Sequence, residues 1–268
     1  MDLLSQINDK SICELKQGCD LSEKEYQDSL TFLEEKNLFF RTKYPNQFPA
    51  ISHKDRSFSK IDSAEIVFTP NLSKYLDLII DLLIETDTQA VKLHLSCCND
   101  EAISHVLACF TKTQVQSIQC VLDFNDNEIN EEKLNQWLSF NRTITYFSIE
   151  NIPNGLEFNL SEDIMFIGSN MESPQLAPSY KLYKESLQKN TYFNKKIFIG
   201  PEGEIRNAKE CNNEFGNLKS MHHVNEIIEV INSKDFSNYW IAHKDNCDIC
   251  KDCEFRHICV DNRLPVKR

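Results

Sequence analysis

No stretch of this chain is apolar for long enough to cross a bilayer. The most hydrophobic run, Leu76 to Ile84, is interrupted by Asp77 and Asp81 and reads as a core helix. A charged start followed by an apolar segment is also missing. Met1 to Ser11 is mixed polar, which gives no sign of a secretory signal and sets the expectation of a cytoplasmic protein. Positive charge is in short supply: 29 Lys and Arg stand against 41 Asp and Glu, for a net charge of −12. Visible basic character is confined to Arg263, Lys267 and Arg268. General nucleic-acid binding needs a basic footprint and is not expected, and neither is a membrane partner. The excess negative charge serves solubility. A phosphate loop is absent as well. Gly200-Pro201-Glu202-Gly203 lacks the Lys-Ser/Thr ending and does not open a helix. No nucleophile–base pair stands out.

Cysteine, by contrast, is plentiful. Eleven are present, an odd number, with Cys97 and Cys98 adjacent. A secreted disulfide framework is normally a smaller chain with an even count. Cys247, Cys250, Cys253 and Cys259 fall within one short run with the spacing C-x2-C-x2-C-x5-C. Two residues between cysteines let both thiolates turn toward one ion, with backbone N–H groups free to bond the sulfurs. Four such thiolates suit tetrahedral zinc or one iron–sulfur cluster. His243 and His257 are spare ligands. Cys98, Cys109 and Cys120 lie in or beside apolar segments and read as small core residues, as does Cys97.

The remaining 41% hydrophobic and 10% aromatic content predicts a globular chain with more than one part. Residues 1–50 read as helical. Ser22-Glu23-Lys24-Glu25 has the capping-box pattern, and Tyr26, Leu30, Phe32, Leu33 and Leu38 suit one helix face. Leu38 to Arg41 suits a short strand, completing a small winged-helix layout. Pro45, Pro49 and the polar run at 52–60 make a linker. Beyond it, strand-like runs start at 64, 90, 118 and 144, which is 26, 28 and 26 residues apart, with helical stretches between them. This βα repeat predicts parallel strands covered by helices. Residues 163–168 suit one more strand. Four or five units are too few for a closed eight-stranded barrel, leaving a partial barrel or a small doubly wound sheet. Lys195 to Asn207 reads as a hairpin turning at Pro201-Glu202-Gly203. Residues 225–241 read as helical, with the helix starting near His222-His223. His94, Asp123, Asn125, Glu150 and Asn151 end neighbouring strands at the edge where α/β proteins hold ligands, although core or turn roles account for each of them equally well.

The tail from Lys244 to Arg263 (KDNCDICKDCEFRHICVDNR), with the hairpin NKKIFIGPEGEIRN and the EFGNL segment upstream, resembles a SPASM domain. That is the C-terminal auxiliary-cluster domain of many radical S-adenosylmethionine peptide maturases. Closer still is the resemblance to SPASM-domain proteins of grasp-with-spasm (graspetide-type) systems, encoded beside an ATP-grasp ligase that crosslinks a small precursor peptide. The resemblance implies an α/β fold: a partial TIM-like (β/α) barrel over 60–170 and a cysteine-rich SPASM-like domain over 190–268. Residues 1–50 would be a winged-helix-like peptide-recognition unit without its leading strands. It further implies a 4Fe-4S cluster, with zinc as the alternative, and partnership with the precursor peptide and its ligase.

The departures from the family are specific. The C-x3-C-x2-C motif of radical enzymes is missing: Cys13 and Cys19 have five residues between them, and Cys109 and Cys120 are isolated. Radical chemistry by this chain alone is therefore not expected. Family members place cysteines before and after the hairpin and again in the tail, where this chain has Tyr192, Ala208 and Asn262. One site, ligated by Cys247, Cys250, Cys253 and Cys259, is the expectation, with Cys211 as a substitute ligand if Cys247 is free. The function expected is an accessory protein of peptide maturation. Two alternatives stay open: a divergent peptide-modifying enzyme with an auxiliary cluster, and a structural zinc protein with an unrelated partner.

Overall fold

The computed structural model describes residues 21–36, 59–124, 129–151, 165–168, 175–176 and 179–265. The chain forms two compact units, Met1–Lys54 and Asp55–Arg268. In the first, helix α1 spans Glu23–Glu35 and carries the expected capping box. Ser22 accepts from the Glu25 N–H, and the Glu25 carboxylate accepts from the Ser22 N–H at 3.0 Å. Tyr26, Leu30 and Leu33 form its buried stripe. The expected strand at 38–41, the linker prolines and Cys13 and Cys19 lie outside the described residues.

In the second unit the strands are β1 (Ser63–Phe68), β2 (Ala90–Leu95), β3 (Ser117–Asp123), β4 (Ile144–Glu150) and β5 (Met165–Gly168). The first four start 27 residues apart each time, so the repeat is more regular than the sequence pattern suggested. Helices α2 (Leu76–Glu85), α3 (Asp100–Phe110) and α4 (Glu131–Phe140) make the crossovers. Asn side chains cap two of them: Asn99 accepts from the Ala102 N–H and Asn130 from the Lys133 N–H, both at 2.9 Å. The run at 70–85 is not one helix. Pro70 opens a 3-10 turn to Tyr75 before α2 begins.

These five strands pair in chain order, all parallel. Right-handed crossovers between successive neighbours put every connecting helix on one face. Burial agrees. Ala64, Ile66, Phe68, Val91, Leu93, Leu95, Ile118, Cys120, Leu122, Phe147 and Ile149 join Ile79, Leu83, Ile103, Leu107, Leu134 and Trp137 in one core. The alternate residues (Glu65, Lys92, His94, Gln119, Val121, Tyr146) face the other side and are not part of that core.

Past α5 (Tyr180–Ser186), β7 (Lys196–Ile199) returns to pair with β1 in parallel. β8 (Glu204–Arg206) and β9 (Gly216–Asn217) then add two antiparallel strands, giving an open eight-stranded sheet. The hairpin is as expected. Gly203 sits at φ 85, and a Cβ there would meet Asn217 Oδ1 at 3.2 Å and Leu218 Cβ at 3.3 Å. A Gly203→Ala substitution should therefore lower stability by about 1–2 kcal/mol in a urea titration, with an unchanged denaturant slope. The helical run at 225–241 is broken. α6 (Val224–Asn232) ends at Ser233, whose ψ of 146 leaves the helix and whose hydroxyl caps α7 (Lys234–Ser237). His223 is the α6 N-cap residue, as the sequence suggested. In the tail, β10 (Cys259–Val260) pairs antiparallel with β6 (Gln175–Leu176).

Candidate metal centre

The tail from His243 onward is a succession of tight turns. The Cys250 N–H reaches the Cys247 carbonyl at 3.0 Å, and the Cys253 N–H reaches the Cys250 carbonyl at 3.0 Å. The two-residue spacings thus fold into overlapping turns, as the thiol spacing required. Cys247 is buried at 5% exposure and its thiol donates to the His243 carbonyl at 3.6 Å. Cys247 and Cys250 line one pocket of about 200 Å³ with Lys244, Ile249, Asp261, Arg263 and Leu264. Burial pushes the Cys250 thiol up. Asp261 and Cys259 add to this, while Lys244 and Arg263 oppose it. Cys259 is half-buried and Cys253 is exposed. Among the described residues, no three His, Cys, Asp or Glu side chains are gathered closely enough to hold a metal ion. The donor set suits zinc or an iron–sulfur cluster, and Cys247 and Cys250 already share a pocket. Cys253 and Cys259 would have to draw in.

Three polar contacts fix the tail and the residue before it onto the α5–β7 segment, and a fourth closes the tail on itself. Thr191 donates to the Cys259 carbonyl at 2.9 Å, and the buried Lys244 ammonium donates to the same oxygen. Asn190 donates to the Ala242 carbonyl at 3.0 Å while its own oxygen accepts from the Tyr192 and Phe193 N–H groups. His257 Nδ1 lies 2.9 Å from the Ser186 hydroxyl.

That last contact, with Asp245 Oδ1 3.9 Å from His257 Nε2, has the outline of a Ser-His-Asp set. The protons run the wrong way for nucleophilic catalysis. The Ser186 hydroxyl donates to the Tyr183 carbonyl at 2.6 Å, so it accepts from the imidazole, and Ser186 is 1% exposed. A nucleophile must instead give its proton to the base. Asp245 also receives Arg256 Nε at 2.7 Å. His257 therefore serves as a strut between α5 and the tail. His243 stays near Asp245 as well, at 3.7 Å, with its Nε2 taken by Asn246.

Cys211 is placed apart from the four tail thiols. It is fully buried in a small apolar cluster with Phe193 and Ala208, against which Tyr192 and Tyr239 pack. Burial pushes its thiol up, and no tail cysteine is among the groups acting on it. The three positions where the sequence replaces expected cysteines do come together around this cluster. Tyr192 donates to the Glu210 carboxylate at 3.0 and 3.1 Å, Asn262 donates to the same group at 3.0 Å, and Ala208 sits in the cluster itself.

The strand-end residues divide. Asn151 donates to Asp123 at 2.9 Å across the β3–β4 edge, and Asn125 lies outside the described residues. His94 is not with them. Its Nε2 is 3.0 Å from Glu65 on β1, on the sheet face opposite the helices. Glu65 is 5% exposed and also meets Lys196 at 3.2 Å and Lys92 at 3.8 Å. Burial alone would raise its pKa. The His94 hydrogen bond and the charges of Lys196, Lys92 and His94 outweigh burial and hold it at about 2. Lys196 lies over the Tyr192 ring at 3.9 Å, joining this charged group to the Glu210 network. In the same cross-strand row as Glu65 and Lys92, Tyr146 donates to Gln119 at 2.7 Å. Sequence reasoning missed Glu65 and Lys196. The one available signal was a charged residue inside an otherwise apolar strand run, seen in both AEIVF and KKIFI.

No family model, curated protein or solved structure matches this chain. No helix among the described residues is long and apolar enough to cross a membrane.

Proposed function

We propose that this chain is an accessory protein of ribosomal peptide maturation. It would bind a precursor peptide, its ATP-grasp ligase, or both, through a unit whose tail is closed by one metal ion or 4Fe-4S cluster. The observation that carries this reading is the C-x2-C-x2-C-x5-C run together with the β7–β8 hairpin it is fastened to. Support comes from the contacts of Cys259 with Thr191 and Lys244, and from the meeting of Tyr192, Ala208 and Asn262 around one small cluster. These contacts join the residues flanking the hairpin to the tail, which supports the reading. The open sheet, wound in one direction with its helices on one face, supports reading the central part as a partial barrel.

In this reading Cys247, Cys250, Cys253 and Cys259 hold the metal. Cys211 is not needed, because it is already packed with Phe193 and Ala208. A cluster would supply a one-electron couple and zinc a structural staple. The chain's own residues then present a surface: the turns at 247–259 are ordered against α5 and β7, and nothing in the described part is arranged for nucleophilic attack.

Anaerobic purification followed by iron, sulfide and zinc analysis tests the site. About four irons and four sulfides, or about one zinc, are expected per chain. Metal-free protein with four freely titrating tail thiols would end the proposal. A co-purification with the neighbouring ligase and its precursor peptide tests the partners, and failure to retain either one would remove the accessory role. One zinc with no iron would also remove the electron-transferring alternative.

A further inference from the structure

A wide cleft lies beside the thiol pocket. It is a cleft of about 890 Å³ lined by Asn212, Asn213, Glu214 and Phe215 before β9, and by Asp235, Asn238, Tyr239 and Ala242 around and after α7. Pro265 lines this cleft and also the Cys247–Cys250 pocket, so the two hollows adjoin. Its size falls in the range of ligand sites.

Its chemistry is one-sided. Among the described residues, the lining holds two carboxylates and three primary amides, and no Lys, Arg or His. Within the described residues, the amides of Asn212, Asn213 and Asn238 and the carboxylate of Asp235 have no side-chain hydrogen bond or ion pair. Glu214 has only Asn217, at 3.2 Å. Each amide offers both a carbonyl acceptor and two N–H donors, the complement of a peptide backbone. Phe215 and Tyr239 add aromatic surface against which an aliphatic stem or a cation can lie. An acidic ligand would meet the repulsion of two carboxylates, and a purely apolar one would displace water from the amides and carboxylates without replacing its hydrogen bonds.

We propose that this cleft binds a peptide segment carrying lysine or arginine. The amides hold the backbone, and Asp235 and Glu214 receive the cation. The natural occupant as a maturation substrate rests on the function proposed above; the selectivity for cationic peptide rests on the lining alone. A bound segment would lie next to the thiol pocket, which gives the tail site a substrate-side neighbour.

Fluorescence anisotropy in about 0.15 M salt tests this with two labelled, amidated probes, alternating Gly-Lys and alternating Gly-Gln peptides of equal length. The lysine peptide should bind, and the glutamine peptide should bind about five- to tenfold more weakly, as two solvent-screened ion pairs allow. The double substitution Glu214→Gln with Asp235→Asn should remove that preference. Asn212→Ala with Asn213→Ala should weaken both peptides equally. All four residues are exposed, so folding is not at stake. Asp77→Asn with Asp81→Asn on α2 changes the net charge equally and should alter nothing. Equal affinity for both peptides, no binding of either, or an equal loss in the α2 variant would overturn the proposal. None of these readouts depends on metal content or ligase binding, so failure of the cleft and failure of the maturation role remain separable.

Discussion

Glu65→Ala should destabilise the larger unit by about 3–5 kcal/mol, the usual cost of breaking a buried ion pair by removing one partner. The substitution strands Lys196, itself only 9% exposed, with Lys92 and His94 beside it. The same carboxylate sets a pH dependence. Its folded pKa of about 2 lies below the ordinary value of 4.5, so its contribution is fully present above the unfolded pKa. It is lost as the pH falls from about 5 toward 2, and amounts to on the order of 3 kcal/mol. Urea unfolding of wild type and Glu65→Ala at pH 7 and pH 3 checks both points. The difference between the two proteins should shrink at pH 3. A difference that stayed constant with pH would mean that the charge of Glu65 contributes nothing. Glu65→Leu offers a sharper comparison. If paired with Lys196→Met, it should recover much of the loss, because an apolar replacement of a whole buried pair is often neutral or better.

The second large effect concerns the tail. In the function proposed above, binding free energy at the four thiolates is folding free energy for residues 243–265, a segment that buries little core of its own. Stripping the metal, or replacing Cys259 with Ser, should leave the sheet and its helices folded while the tail opens to protease. Two thiols that share a pocket, Cys247 and Cys250, should become reactive together. Limited proteolysis of loaded and stripped protein, read by mass, should show new cuts after Lys251 or Arg256 at a rate at least about tenfold higher. Metal titrated back should restore protection in the wild type and not in Cys259→Ser. Equal cutting in both states would show that Thr191, Asn190, Lys244 and His257 hold the tail without metal, and the thiols would then need another explanation.

Much of the architecture was legible in the sequence because its signals are local. Strand runs at near-constant intervals, the Ser22–Glu25 capping box and the turn glycine at 203 each depend on a few adjacent residues. Local signals also explain the errors. Tyr75 and Ser233 break runs whose apolar pattern continues across the break, because one backbone dihedral can end a helix without disturbing the periodicity. The cysteine run was legible as four closely spaced thiols for the same reason; that they share one ion belongs to the function proposed above.

What the sequence by itself determined is therefore the order of elements and the inventory of donors. Only the tertiary structure decided which residues meet. Glu65, Lys92, His94 and Lys196 come from three strands and converge because parallel pairing in register puts alternate residues on one face. Cys211 belongs to the Phe193–Ala208 cluster because β7 and β8 fold back on each other. The amide-lined cleft exists because the segment before β9, the turn after α7 and Pro265 meet, although they are distant in the chain. Sequence patterns record free energies between neighbours along the chain. Long-range contacts depend on register and packing, which neither composition nor spacing encodes.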